Sequence, residues 1–179
     1  PDPPLSIANP TAFGFLGEES LAEIRFARVN ATLRLPAGET FSAVGGAVTL
    51  LGTNRSLEVP SGRIQLASVD GVVDVPVDDL STLTGEELAR GVSPDSHPIR
   101  LERGFNPDVS APVLSTAPAG RVVIRGGSLV VDASIVNAGH RSDVDAAEPA
   151  IDVEMVRGVD LLAGGGVGTR GSGLGRSGG

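Results

Sequence analysis

The chain has 179 residues, 22 acidic side chains against 14 Lys and Arg, and a formal net charge of −8. It contains no Cys, Trp or Tyr, which excludes a disulfide framework and a thiolate metal site, and its acidity suits it poorly to coating nucleic-acid phosphates. With 25 Gly, 13 Pro, one Met and five Phe, the core has to come from Val, Leu, Ile and Ala, in a turn-rich all-β chain rather than a compact α/β enzyme.

Residues 1–23 read as a Pro-rich lead-in, Pro1 to Pro10, followed by an apolar loop, Asn9-Pro10-Thr11-Ala12-Phe13-Gly14-Phe15-Leu16-Gly17. The start shows neither an initiator Met nor a basic stretch followed by an apolar one, so a fragment of a longer polypeptide is expected, with any targeting signal upstream. From Ile24 to Leu35 apolar and polar residues alternate, with a register shift near Ala27. The turn signals Pro36-Ala37-Gly38 and Pro60-Ser61-Gly62 begin 24 residues apart, with a Gly45-Gly46 corner between them. Around them lie the short alternating runs Val48-Thr49-Leu50, Leu57-Glu58-Val59 and Ile64-Gln65-Leu66, each placing apolar residues on one strand face.

A unit of the form Pro-small-Gly-Arg-aliphatic-x-aliphatic occurs at Pro60 to Leu66 and returns at Pro118 to Ile124. One turn-strand unit repeated in this way predicts a solenoid of short strands, a parallel β-helix of roughly five to seven coils over residues 24–163. Its predicted inward positions are Leu33, Leu35, Val48, Leu50, Leu57, Val59, Ile64, Leu66, Val122, Ile124, Leu129, Val131, Ile135, Ile151 and Val153. An acidic insertion interrupts it at about 70–98. There Thr84-Gly85-Glu86-Glu87 has capping-box spacing and Gly91 supplies a stop, so one short helix is expected. The insertion is expected to project from the coil and to be dispensable. Asn137 to Pro149 reads as a polar loop, and residues 164–179 as a flexible Gly-rich tail. No window approaches the ~18 apolar residues of a membrane span.

Few residues carry a chemical signal. Gly126-Gly127 follows a strand, but no Gly-Lys-Ser/Thr accompanies it and strand character resumes at Leu129, so corner glycines with positive φ are the expectation. Asp70, Asp74, Asp78 and Asp79 are of the kind that ligate Ca²⁺; a solvated acidic loop is the simpler account. Asp152 and Glu154 are expected on one outward strand face, with Asp132 one strand earlier and Arg63 and Arg121 at equivalent repeat positions. Carboxylates and guanidiniums converging from neighbouring coils are what a polysaccharide-cleaving site would need, yet there is no Trp or Tyr platform for a sugar. His97 and His140 are scattered, which argues against zinc or His-assisted nucleophilic chemistry. Asn30 and Asn54 begin glycosylation sequons whose chance occurrence is the better account. No catalytic, cofactor-binding or metal residue is assigned, and no cofactor is expected.

Four stretches, in order, resemble phrases of the filamentous-haemagglutinin-like exoproteins of Gram-negative bacteria and cyanobacteria. They are Asn9 to Gly17; Phe41-Ser42-Ala43-Val44-Gly45-Gly46 with Pro60 to Val69; Gly120 to Asp132; and Ile151-Asp152-Val153. The resemblance covers most of Asn9 to Leu162 and is weak over Asp70 to Ser115. It implies an all-β, right-handed single-stranded parallel β-helix. It also implies a structural or adhesive segment of a large secreted exoprotein, exported by two-partner secretion through an outer-membrane transporter. The expected location is the outer cell surface or the medium, and the expected partners are that transporter, acting on the parent protein, and host or cell-surface receptors or glycans. The family's secretion domain carries an Asn-Pro-Asn-Gly-type motif that is absent here, so the chain is expected to begin late in, or just after, that domain. The alternative is a carbohydrate-active β-helix that cleaves or binds a polysaccharide.

Overall fold

Short alternating runs separated by turns become short strands, and the chain lays them down in successive coils. The computed structural model describes residues 12–16, 21–28, 32–52, 57–76, 78–92, 97–103, 114–116, 120–140, 150–163 and 165–171. After β1 (Ala12–Leu16), the first coil contributes β2 (Glu23–Arg28) and β3 (Leu33–Arg34). The second contributes β4 (Thr40–Gly45), β5 (Ala47–Gly52) and β6 (Leu57–Glu58). The third begins with β7 (Arg63–Ser68) and departs through β8 (Val72–Pro76), a 3-10 turn at Leu80–Thr82 and α1 (Gly85–Arg90). It resumes with β9 (Ile99–Arg103) and β10 (Leu114–Ser115). Then follow β11 (Arg121–Asp132) with β12 (Ile135–His140), and β13 (Ile151–Leu162) with β14 (Gly166–Gly171).

Apart from β1 and β8, these strands form three ladders in which every pairing is parallel. The first joins β4, β7 and the leading halves of β11 and β13. The second joins β2, β5, β9 and the trailing halves of β11 and β13. The third joins β3, β6, β10, β12 and β14. Long strands β11 and β13 run through the first two ladders, with a register shift between Gly126 and Ser128 where the faces meet. The protein is thus mostly strand, with a large parallel sheet and a solenoid-like path. Among the described residues no helix is long and apolar enough to cross a membrane.

Parallel register stacks like on like. Ile24, Val48, Ile99, Leu129 and Val159 form one column, and Phe26, Leu50, Leu101, Val131 and Leu161 the next. In the first ladder Phe41, Ile64, Val122 and Ile151 align, as do Ala43, Leu66, Ile124 and Val153. Inward members of the central coils are fully buried, each contributing about 1.5–3 kcal/mol of burial free energy. Phe26 and Phe41 meet edge to face at 5.4 Å between ring centroids.

Most predicted inward positions lie in this core, with Leu35, Ile151 and Val153 half-buried against it. Two do not. Leu33 is 42% exposed, because β3 ends its ladder and is paired only with β6 among the described residues. Ile135 lies outside the core cluster, whereas Val136 and Ala138 are buried in it. Ala133 turns the corner with φ 44°, and buried Ser134 donates to the Leu101 carbonyl (2.6 Å), so this corner resets the strand's parity.

Two expected loops prove to be strand in part, Ala12 to Leu16 forming β1 and Asn137 to His140 belonging to β12, and three further expectations are corrected. Gly126 and Gly127 do not have positive φ. They sit inside β11, where a Cβ on Gly126 would press to 3.2 Å from Ser68, so close approach explains Gly126; a Cβ on Gly127 would meet the movable end of the Arg157 side chain. Residues 166–171 of the Gly-rich tail pair with β12 as a strand instead of running free; residues 172–179 lie outside the described residues. The acidic insertion does not project. It lies on the outer face of the first ladder and builds a second core, in which Val73, Val75, Leu80, Leu83 and Leu88 bury Ala67, Val69 and Val123. Its helix carries the expected capping box between Thr84 and Glu87, with Gly91 as C-cap. Gln65, fully buried, fastens it: its Oε1 accepts from Leu80 N (2.7 Å) and its Nε2 donates to Ser42 Oγ (3.1 Å) and the Asp78 carbonyl (3.2 Å). The strand β1 pairs antiparallel with β8 and ties the early chain to the insertion.

Two substitutions and one deletion test this packing. Ile124→Asp places a charge between coils with no partner in reach and is expected to cost several kcal/mol, read as a collapse of the urea midpoint. Gly46→Ala drives a Cβ into the Leu21 carbonyl and should lower the melting temperature. Joining Val69 to Ile99 through a short Gly/Ser linker strips the second core and leaves Gln65 without Leu80 and Asp78. The shortened chain is expected to melt well below the parent, and equal melting temperatures would contradict the packing described.

Candidate functional site

The outward side chains of the first ladder alternate with its core residues, so they line up in rows. Arg63 of β7 lies in register with Arg121 of β11, and Val123 and Arg125 of β11 lie in register with Asp152 and Glu154 of β13. The insertion brings Asp79 over the same face. The result is a chain of charges. Asp79 Oδ2 lies 3.0 Å from Arg63 Nη1 and 3.9 Å from Arg121 Nη1. Arg121 Nη2 donates to Asp152 Oδ2 at 3.0 Å. Arg125 grips the same carboxylate with both ends of its fork, Nη1 to Oδ1 at 3.0 Å and Nη2 to Oδ2 at 2.9 Å. Glu154 Oε2 stands 3.7 Å from Arg125 Nε. Arg125 is 2% exposed, so its charge is held almost wholly by these carboxylates and by the carbonyls of Ile124 and Asp152.

Burial by itself would raise the pKa of Asp152, but hydrogen bonding and charge from Arg125, reinforced by Arg121, outweigh it and hold the carboxyl below its ordinary range. At Asp79 burial again works upward. Hydrogen bonds from the Ser81 hydroxyl and backbone N–H, then the charges of Arg63 and Arg121, prevail and lower it. Both carboxylates therefore stay ionised at neutral pH, which suits neither for donating a proton. Among the described residues three guanidiniums face three carboxylates, so these charges offset one another.

The structure brings together Arg63, Arg121, Asp152 and Glu154, the outward set expected from the repeats, and adds Arg125 and Asp79. Arg125 was accessible to parity, lying four residues beyond Arg121 on the same strand face. Asp79 was not, because only the fold of the insertion carries it there. Asp132 is not part of the cluster; it stands in the second ladder, in register with Glu102 and Leu162. Of the insertion's other acids, Asp74 lies on β8, and the Asp78 carbonyl accepts from Gln65 and from Arg63 (3.3 Å). His97 precedes β9, its carbonyl accepting from Ser68 Oγ (2.7 Å), and His140 ends β12. Among the described residues no group of three or more His, Asp and Glu is placed to hold a metal ion. Asn30 and Asn54 lie outside the described residues.

The lowered carboxylates set a sign for the acid response. A carboxyl whose folded pKa lies below its unfolded value, ~3.9 for Asp, adds stability that is complete above that unfolded value. This stability disappears as pH falls through the folded value. Urea midpoints should hold steady from neutrality to about pH 5 and then fall steeply below about pH 4. Asp152→Asn strands the charge on Arg125. It should cost on the order of 2–3 kcal/mol at pH 7 and flatten the acid limb; an unchanged acid limb would contradict the assignment.

No family model matches the chain, no curated protein matches it, and no solved structure matches it.

Proposed function

We propose that this chain is a structural segment of a secreted, filamentous-haemagglutinin-like exoprotein, folded as a right-handed single-stranded parallel β-helix and carrying no catalysis of its own. The observation that carries the reading is the continuity of the three parallel ladders with their aliphatic columns. Such a stack converts each added coil, about 4.8 Å per strand, into length, and it suits a rod that holds binding surfaces away from a cell. The order of the resembling stretches supports the family. In this reading the parent protein leaves the cell by two-partner secretion through an outer-membrane transporter and acts at the cell surface or in the medium. Its partners there are receptors or glycans, and nucleic acid is not among them.

The carbohydrate-active alternative would need the outward Arg and carboxylate groups to face a substrate. Their mutual pairing and the lowering of Asp79 and Asp152 favour a structural role instead.

Placing the 179 residues behind a two-partner secretion domain, in cells that carry its transporter, tests the reading. The fusion is expected in the medium, with the segment resisting protease, and the purified chain is expected to turn over no member of a polysaccharide panel. Retention inside the cell would overturn the export reading. Saturable turnover that is lost in Asp152→Ala would overturn the structural one.

A further inference from the structure

The two cores draw on the chain over different distances. The first gathers buried residues from Ala43 to Ala138, and the ladders around it join remote positions: Val48 meets Ile99, 51 positions along, and Ile64 meets Val122, 58 positions along. The second core is local. Of its eight buried members seven fall between Ala67 and Leu88, and Val123 alone comes from elsewhere. Its hydrogen bonds are local too. Gln65 reaches Leu80 N across 15 positions and the Asp78 carbonyl across 13. The neck of the insertion is closed, because the N–H groups of Asp70 and Gly71 both donate to the Gly91 carbonyl, at 2.9 and 3.1 Å. The helix within it has six residues, too few to persist undocked, so helix and docking form together.

We propose that β7 and the insertion, Arg63 to Gly91, fold first as one unit, and that this unit is the template on which β11 then closes. The inference rests on the packing of this chain and is independent of the exoprotein reading. Loop closure favours the order. Joining positions about 14 apart is about eightfold more probable than joining positions as far apart as Ile64 and Val122. The local contacts also bring most of a core with them, whereas β11 closing on β7 alone would leave Ala67, Val69 and Val123 without their cover.

The template is selective. It offers the incoming strand an apolar seat, filled by Val123, and a carboxylate, Asp79, whose Oδ2 lies 3.9 Å from Arg121 Nη1. One coil further on, β13 carries Asp152 at the register position of Val123. Seated on β7 in place of β11, it would bring that carboxylate against an apolar core and towards Asp79, without a guanidinium of its own to offset either. Skipping a coil is the characteristic error of a stack of similar strands, and the docked insertion rejects it at the step where β7 chooses its neighbour.

Refolding and unfolding of the full 179-residue chain after urea jumps test the order, followed by far-UV circular dichroism because the chain has no Trp or Tyr. Leu83→Ala empties a buried place in the insertion. It should slow refolding about tenfold or more and leave unfolding within about threefold of the parent. Thr84→Ala removes an exposed capping box and should slow refolding about threefold, which keeps the test decisive if Leu83→Ala does not fold. Val136→Ala, buried in the third ladder, should do the reverse, refolding as the parent does and unfolding about tenfold faster. Pulse-labelled hydrogen exchange on the refolding parent reads the same order without any substitution. The Leu80 and Asp70 amides, bonded to Gln65 and Gly91, should be protected before those of Thr116 and Val122, bonded to Asn137 and Ala150. Leu83→Ala or Thr84→Ala chains that refold as fast as the parent and only unfold faster would make the insertion a late cover and overturn the proposal. Protection of Val122 ahead of, or together with, Leu80 would overturn it as well.

Discussion

Parallel register between coils is the constraint on which the structure depends. A parallel pair cannot be closed by a tight turn, so each strand has to wait for the chain to travel round before it meets its neighbour. Ile24 meets Val48, and Leu129 meets Val159, only after such a circuit. That delay forces equivalent positions of successive coils into vertical alignment, and the alignment stacks aliphatic side chains of similar shape. A core built this way has no need of large aromatics, which accounts for a composition almost without them. It also spreads the core thinly along the stack, so each coil is stabilised mainly by the coils beside it.

The insertion alters that economy on one face. In a bare coil the outward side chains of the first ladder would meet water. Here Ala67, Val69 and Val123 face outward and are buried by Val75, Leu80, Leu83 and Leu88, giving the ladder a core on both sides. The junction is polar where it must be. Gln65 meets the backbone N–H that opens the 3-10 turn and the carbonyl before it, so a fully buried amide is satisfied by the element that covers it. Asp79 joins the insertion to Arg63 and Arg121 while capping the turn through Ser81. The charged cluster and the second core are therefore one joint, holding three consecutive coils beneath a single loop.

What the sequence disclosed follows from this arrangement. Alternation announced the columns through Val48, Leu50, Ile64, Leu66, Val122 and Ile124, because period two is local and survives any placement of the coils. The recurrence of Arg63 and Arg121 announced the charged row for the same reason. The second core was hidden. Its apolar residues, Val73, Val75, Leu80, Leu83 and Leu88, fall in a strand, a turn and a helix in quick succession, so no single period runs through them, while the acids between them dominate the composition. The parity of β12 was hidden because it is decided by the left-handed conformation of Ala133, at a residue type that does not advertise it. Gly126 and Gly127 misled in the opposite sense: a glycine pair signals a corner in φ or a close approach equally well, and at Gly126 only the neighbouring Ser68 decides between them.

The placement of buried charge on such a surface has a geometric rationale. Apolar alternation specifies register only modulo two. If β13 slid one residue along β11, Asp152 and Glu154 would turn into the aliphatic columns, and desolvation alone would forbid it. A slide of two residues is different. Ile151, Val153 and Met155 would still face inward, each apolar, and the columns would hardly register the change. The outer face would. A two-residue slide would carry Asp152 away from Val123, the position from which it reaches both Arg121 and Arg125, and dismantle either the fork on Arg125 or the bond to Arg121. Such a slide sets either Ala150 or Glu154 opposite Val123 in place of Asp152, so the grip of Asp152 on Arg125 together with its bond to Arg121 belongs to this register alone. The hydrophobic columns thus select the face, and the ion pairs select the step. In a fold made of similar coils, where neighbouring registers compete closely, this second discrimination leaves one alignment favoured.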